Sequence, residues 1–238
     1  MEAALFSPVG TGRVSAEIVG RIKAAIRDGR LAPGDQLPPE RDLTKQLGVS
    51  RVSVRDALRM LEAHGLIEVK VGARGGAFVT APAPGLVGEG IADMLMLADV
   101  GPADVTEARM IFEIGMLELA CSRATDEDVA ALSEICDRAE AALAAGAYEP
   151  AISAEFHARL ARCTHNEALA LFAESFQGLL ESSLRQAQRA DPDAGRKGAV
   201  EHRALVAAVE ERDVGHAREI MTAHLRRTAV RVGGRAQF

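Results

Sequence analysis

Aromatic side chains are scarce in this sequence. Its 238 residues include no tryptophan, one tyrosine and seven phenylalanines, so aromatics make up only 3% of the chain. Helix-forming residues predominate instead, especially alanine, leucine, glutamate and arginine. This composition favours helices packed on helices over a β-sandwich. The sequence therefore predicts a mainly α-helical protein.

Cysteines are also few, and their spacing argues against two kinds of site. Cys121, Cys136 and Cys163 are odd in number, lie far apart and form no CxxC pair. They predict neither a disulfide framework nor a zinc knuckle, and they fit a reducing cytoplasm. No apolar run approaches the ~18 residues that a membrane span needs. Residues 1–14 also lack the pattern of a signal peptide, so we expect a cytoplasmic protein without a membrane partner.

Positive charge is in the minority overall but is distributed unevenly. The net charge is −6, which by itself argues against a nucleic-acid partner. Residues 1–80, however, hold 12 Lys and Arg against 9 Asp and Glu, a balance of +3, whereas the remainder is acidic. The asymmetry is compatible with a DNA-binding module attached to a domain of another kind.

The first 80 residues contain a characteristic order of local patterns. Residues 14–28 have the apolar period of an amphipathic helix. Pro39 is suited to begin a second helix, which Gly48 ends, and Ser50 is suited to cap a third helix running to about residue 64. Residues 66–80 alternate around a glycine-rich turn and predict a β-hairpin. Together these elements predict a winged helix-turn-helix domain over residues 1–80.

The rest of the chain predicts a linker and an antiparallel helical bundle. Residues 81–90 contain Pro82 and Pro84, show little periodicity and predict a linker. Residues 91–232 are helical in pattern and predict an all-α domain. Because the linker has little apolar sequence and the first domain is small, we expect this bundle to supply any dimer contact. Helices are expected near residues 91–98, 102–123, 126–145, 150–163, 166–189, 195–212 and 213–231.

Several residues of the first domain are suited to contact DNA. Arg51 and Arg55 lie one turn apart at the start of the predicted recognition helix, where guanidinium groups can bind guanine edges. Arginines four residues apart also occur on many exposed helices, so the surrounding order of elements is what favours the DNA-binding interpretation. The other candidate contacts are Arg41, Ser50, Ser53 and, in the wing, Gly72.

Three motifs in residues 13–80 resemble one known family. They are G-x-x-L-P-x-E-R-x-L from Gly34, G-V-S-R-x-x-V-R-x-A-L from Gly48 and L-x-x-x-G-L-I from Leu61. This segment resembles the DNA-binding head of the GntR family of transcriptional regulators. The resemblance implies that the arginines, serines and glycine named above contact DNA. It also implies a homodimer on a palindromic double-stranded operator.

Three histidines of the second domain lie on the apolar faces of different predicted helices. They are His157, His202 and His224. A single such histidine is usually a hydrogen-bonded core residue, but three are costly to bury unless their nitrogens have partners. Neutral imidazoles that converge in a helical bundle are suited to bind a transition metal. The sequence therefore predicts a possible divalent metal site, for Zn²⁺ or Ni²⁺.

The second domain resembles the FCD sensor domain of the same family. The matching patterns are E-x-R-x-x-x-E from Glu107, F-H-x-x-L from Phe156, E-H-x-x-L from Glu201 and M-x-x-H-L from Met221. The resemblance implies a metal held by the three histidines and an aspartate one turn before the first. Ser153 stands at that aspartate position here, so one anionic ligand is missing.

The resemblance also implies a small carboxylate effector, with Arg109, Ser153 and Asn166 as candidate effector-binding residues. From the residues alone, Arg109 could equally pair with Glu113 on the helix surface. We expect a ligand-responsive regulator that acts as a repressor. We do not expect an enzyme, because no H-E-x-x-H motif accompanies the histidines. The alternatives are a constitutive DNA-binding regulator with a degenerate sensor and a metal-dependent enzyme.

Overall fold

The computed structural model describes residues 12–72, 75–80, 100–191 and 193–233, with a few isolated positions between 90 and 98. The chain divides into two compact units, residues 1–86 and 87–238. Nearly all of the predicted linker and half of the predicted helix 91–98 lie outside the described residues, and residues 91, 94 and 97 of that segment are helical. Within the described ranges, no helix is both long and apolar enough to cross a membrane.

The N-terminal unit has the order of elements that the sequence predicts. Its described elements are α1 (Gly12–Arg27), α2 (Glu40–Leu47), α3 (Arg51–Ala63), β1 (Ile67–Lys70) and β2 (Gly76–Val79). Apolar side chains from all five elements form one core, which includes Ile18, Leu43, Leu61, Ile67 and Val79. The winged helix-turn-helix fold is therefore confirmed.

The turn between α2 and α3 depends on two residues. Gly48 ends α2 in the left-handed region, with φ at 67°, where a residue with a Cβ would be strained. Ser50 then caps α3, because its Oγ accepts a hydrogen bond from the backbone N–H of Ser53 at 3.1 Å. These two features fix the angle at which α3 leaves the turn.

The hairpin is anchored to the preceding loop. β1 and β2 pair antiparallel, with Ile67 opposite Val79 and Lys70 opposite Gly76. On the other edge of β2, Gly34 donates its N–H to Val79 O, and Leu37 donates to Ala77 O, both at 2.8 Å. The loop before α2 thus contributes a third, short extended segment that fixes the base of the wing.

The C-terminal unit is a bundle of helices in its described part. The helices are α4 (Pro102–Arg123), α5 (Asp126–Ala144), α6 (Pro150–Arg162), α7 (Glu167–Ser175), α8 (Gln177–Ala190), α9 (Ala194–Glu210) and α10 (Val214–Arg231). Helix α4 packs against α10, α5 packs against α6 and α9, and α6 packs against α7 and α8. Their shared core contains fully buried Leu117, Leu132, Phe156, Leu205 and Leu225.

One sequence prediction of this unit is wrong. The segment 166–189 was expected as one helix, but it forms α7 and α8, which are separated at Phe176. The N–H of Phe176 bonds Ala173 O, three residues back, so the turn is tighter than an α-helical turn. The rings of Phe172 and Phe176 lie with their centroids 4.7 Å apart at this break. Apolar periodicity continues through residue 176, so it did not reveal the break.

Core and surface positions on α9 should differ sharply in their effect on stability. Leu205 is fully buried, whereas Val200, on the same helix, is 68% exposed. Leu205→Ala should lower the free energy of unfolding by about 2–5 kcal/mol because it leaves a cavity. Val200→Ala is the matched control and should change it by less than about 0.5 kcal/mol. Urea denaturation followed by circular dichroism measures both, and equal losses would contradict the packing of α9.

Candidate functional site

The start of α3 presents two exposed arginines. Arg51 is the first residue of the helix, and Arg55 follows one turn later. The guanidinium of Arg55 lies 3.3 Å from the Glu40 carboxylate at the start of α2, and both side chains are largely exposed. Arg41, next to Glu40, is also exposed. A surface ion pair of this kind is weak and can exchange for a phosphate or a base.

The remaining DNA-contact candidates lie close to this surface but differ in accessibility. The Ser50 and Ser53 hydroxyls lie 2.9 Å apart, and Ser53 is buried. Both serines therefore take part in starting α3. Gly72, after β1, has φ at 113°, and a Cβ placed there would meet no atom within 4 Å. Its backbone is accessible at the wing.

The three histidines of the second unit converge, as the sequence predicts. His157 on α6, His202 on α9 and His224 on α10 are each about 3% exposed. Their ring centroids lie 5.0–5.2 Å apart, and one ligand nitrogen from each lies within 4.8 Å of the others. The His202 ring stacks on Phe156 at a centroid distance of 4.0 Å, which fixes its plane.

Two of these histidines face a carboxylate through Nδ1. His224 Nδ1 lies 2.8 Å from Glu201 Oε2, and Glu201 is in turn paired with Arg227. His157 Nδ1 lies 2.6 Å from Glu113 Oε2, although this contact departs from hydrogen-bond geometry. Carboxylates at Nδ1 favour the tautomer in which Nε2 is a free acceptor.

The Nε2 atoms of all three histidines are buried without a hydrogen-bond partner among the described residues. Burial lowers the pKa of His157 and of His224 to about 4 and lowers the pKa of His202 as well. The rings are therefore neutral at pH 7, the form that binds metals. The residues present thus fit a divalent ion such as Zn²⁺, because one nitrogen of each neutral imidazole lies within 4.8 Å of the other two.

The Arg109–Glu113 pair forms on α4, and it is buried instead of lying on the surface. Arg109 Nε donates to Glu113 Oε1 at 2.7 Å, and both side chains are about 5% exposed. Burial by itself would raise the pKa of Glu113, but the Arg109 charge and the contact with His157 outweigh it and lower that pKa. Glu113 is therefore ionised and bridges the arginine and the histidine cluster.

Arg109, Glu113 and His157 also line a cavity of about 440 Å³ between α4, α6, α7 and α8. Both Nη atoms of Arg109 are buried and lack a hydrogen-bond partner in the described part of the chain. Buried donors of this kind cost about 1–3 kcal/mol each if nothing accepts from them. The arrangement can therefore bind a carboxylate in a bidentate manner.

The two other effector-binding candidates lie elsewhere. Ser153 is buried one turn before His157, and together with His224 it lines a separate cavity of about 30 Å³. Asn166 caps α7, because its Oδ1 accepts from the backbone N–H groups of Ala168 and Leu169. Neither residue is among those that line the larger cavity.

Sequence reasoning missed the roles of Glu113 and Glu201. Both were treated as parts of motifs and not as partners of histidine Nδ1 atoms. The spacing of Glu113 from Arg109 predicted their pairing, but the contact with His157 joins residues 44 positions apart and had no local signal. The contact between Glu201 and His224 likewise depends on how α9 packs against α10.

Comparison with known families accounts for both units. The model of the bacterial regulatory proteins of the gntR family matches residues 14–79, and the FCD domain model matches residues 104–227. The chain belongs to the GntR family. It is a DNA-binding transcription regulator with an FCD sensor domain and not an enzyme.

Curated relatives of this GntR-family regulator match it over most of their length. The Uxu operon regulator of Haemophilus influenzae is 30% identical over 215 residues, which are 89% of this chain and 79% of the relative. The NanR transcriptional repressor of Cronobacter sakazakii is 30% identical over 92% of this chain and 85% of the relative. A putative L-lactate dehydrogenase operon regulatory protein of Escherichia coli is 32% identical over 90% of this chain and 84% of the relative.

A solved structure shows the same fold. The GntR protein of Streptococcus agalactiae matches with a TM-score of 0.69 at 23% identity, over 91% of this chain and 98% of that one. This match supports a winged helix-turn-helix followed by a helical domain in the GntR-family chain. At this identity it shows the fold alone.

The neutral histidines make the regulator's stability depend on pH. In the unfolded chain a histidine titrates near 6.5, whereas the pKa of His157 and His224 is about 4 in the folded state. The unfolded state therefore binds more protons between these values, and stability should fall as the pH drops from about 6.5 to about 4. Urea unfolding at a series of pH values with a chelator present measures this loss.

His157→Gln and His224→Gln should each make that loss shallower, because each removes one buried histidine. His216→Gln, at an exposed position near the start of α10, is the matched control and should keep the wild-type profile. Superimposable profiles for all four proteins would show that the histidine cluster does not contribute to the pH dependence.

Proposed function

We propose that this regulator binds a palindromic operator as a homodimer and that a small carboxylate in the C-terminal unit changes its affinity for DNA. We further propose that it acts as a repressor, as the NanR relatives are named. The C-terminal helical unit would supply the dimer contact. Because a regulator of this kind has to reach the chromosome, we place it in the cytoplasm.

The DNA-binding surface that we propose is centred on the start of α3. Ser50 caps this helix, and Gly48 fixes the turn before it, so the first turn of α3 is exposed in a defined direction. Arg51 and Arg55 extend from that turn and are suited to bind base edges. Arg41 and the wing around Gly72 would contact the phosphate backbone, where they add affinity without sequence information.

Arg51→Ala and Arg55→Ala should each weaken operator binding by about 1–3 kcal/mol and relax specificity at one base pair. Arg21→Ala, on an exposed face of α1, removes the same charge outside this surface and is the matched control. Gel-shift titrations at constant salt against operator and scrambled duplexes measure both effects. Equal losses for all three variants would mean that only net charge matters and that α3 does not read the sequence.

The carboxylate-sensing part of the proposal depends on one observation, the buried guanidinium of Arg109 in the lining of a cavity of about 440 Å³. Pockets that bind small molecules have volumes of about 300–1,000 Å³. A carboxylate that accepts from both Nη atoms would satisfy the two buried donors and balance their charge. Buried donors also argue against a degenerate sensor, since they cost stability when nothing accepts from them.

We also propose that His157, His202 and His224 hold a divalent metal, either Zn²⁺ or Ni²⁺. The metal would act as a cationic centre that attracts the effector carboxylate. Glu113 and Glu201 would orient His157 and His224 through Nδ1 and balance part of the ion's charge. Ser153 leaves the set with three neutral ligands, which predicts weaker binding than a set that includes an aspartate.

Ser153→Asp should therefore tighten metal binding, because it adds an anion one turn before His157. Ser153→Asn is the matched control of similar shape without the charge, and His202→Ala should lower the metal content. Elemental analysis after chelation, re-addition of Zn²⁺ and desalting measures the bound ion. Negligible metal in the wild type and in all three variants would contradict the metal site.

Effector and DNA affinities should be linked. If the carboxylate favours one arrangement of the dimer and DNA another, each ligand must change the affinity of the other by the same factor. We propose that this linkage is the regulatory mechanism, with the effector releasing the operator.

A further inference from the structure

The large cavity has walls that are almost entirely apolar. Of the described residues that line it, ten are aliphatic or aromatic and four are polar. Three phenylalanines form a continuous part of the wall: the ring centroids of Phe112 and Phe172 lie 4.9 Å apart, and those of Phe172 and Phe176 lie 4.7 Å apart. Phe112 is on α4, Phe172 is on α7 and Phe176 is at the break between α7 and α8, so the wall joins three parts of the chain.

The polar groups of the cavity are concentrated at one place. Glu113 contacts Arg109 at 2.7 Å and His157 at 2.6 Å, so these three residues form a single polar cluster in the lining. The fourth polar residue, Asp104, is exposed, and its carboxylate accepts from the backbone N–H of Gly101 at the start of α4. Apart from this carboxylate and the cluster around Arg109, the described lining is aliphatic or aromatic and offers no side chain that could pair with a hydroxyl group.

We propose that the effector is a monocarboxylate with an apolar tail, such as a medium-length alkanoate or an arylalkanoate. Its carboxylate would bind the Nη atoms of Arg109, and its tail would lie along Phe112, Phe172 and Phe176. This inference rests on the proposed carboxylate-sensing function and narrows it to one chemical class. It excludes polyhydroxylated acids as the preferred ligand.

The physical reason is the cost of burying hydroxyl groups. A hydroxyl moved from water to an apolar wall without a hydrogen-bond partner loses its solvation, whereas a methylene group gains free energy by leaving water. A sugar acid along this wall would place several hydroxyls against apolar side chains that cannot pair with them. A volume of about 440 Å³ also leaves room for a tail of several carbons beyond the carboxylate.

Isothermal titration of the full-length protein with hexanoate and gluconate tests this directly. The two acids have the same number of carbons and differ in five hydroxyl groups. Hexanoate should bind at least about tenfold more tightly than gluconate, because each hydroxyl of gluconate would lose its hydration without gaining a hydrogen bond. Octanoate and decanoate should then tighten binding by about fourfold for each methylene group until the cavity is full. L-lactate serves as a short acid without a tail.

Variants at Arg109 and at Ala108, which both line the cavity, test where the ligand binds. Arg109→Lys keeps the charge but loses the bidentate fork and should weaken every acid, whatever its tail. Ala108 is an exposed residue of α4 at the cavity, so Ala108→Phe should fill space and remove the gain from longer tails while the protein stays folded. Ala130→Phe, at an exposed position of α5 away from the cavity, is the matched control and should bind like the wild type.

The outcomes separate this inference from the proposed function. If gluconate or L-lactate binds as tightly as hexanoate and depends on Arg109, a carboxylate sensor exists but its ligand is not apolar, and the inference is wrong. If the alkanoates bind equally to wild type, Ala108→Phe and Arg109→Lys, the tail binds outside the cavity and the inference is also wrong. If none of the acids binds at millimolar concentration, both the inference and the carboxylate-sensing function fail.

Discussion

One buried carboxylate joins the two parts of the candidate site in the sensor unit. Glu113 accepts from Arg109 Nε on its own helix and contacts His157 Nδ1 on α6, so it is shared between the cavity and the histidine cluster. The Arg109 charge keeps the carboxyl ionised despite its burial. Because a buried charge without a partner is very unfavourable, the three side chains must remain in contact. The effector site and the histidine site are therefore joined by one set of contacts.

This arrangement leaves specific atoms unsatisfied, and those atoms define the chemistry of the site. Glu113 accepts from Nε of Arg109, whereas both Nη atoms of Arg109 and the Nε2 atoms of the three histidines have no hydrogen-bond partner among the described residues. Core packing holds these groups in place, through the stacking of His202 on Phe156 and the anchoring of His224 by Glu201. An anion on one side and a cation on the other would complement them.

Local signals were strong where neighbouring residues decide the structure. The Gly48 turn, the Ser50 cap and the glycine-rich hairpin each depend on residues a few positions apart, so the winged helix-turn-helix could be predicted element by element. The three histidines were also predictable, because each lies on the apolar face of its own helix. The break at Phe176 was not, since neither glycine nor proline marks that position and the apolar period continues through it.

The motifs of the sequence indicated the class of protein. The sequence by itself also determined the order of elements in the DNA-binding unit and which histidines face the interior. Those properties follow from turn chemistry and apolar periodicity, which act over one or two helical turns. Only the tertiary structure decided that Glu113 joins Arg109 to His157, that Glu201 supports His224 and that three phenylalanines from separate helices line one cavity. These contacts join residues far apart in the chain, and they depend on how the helices pack, which no local pattern records.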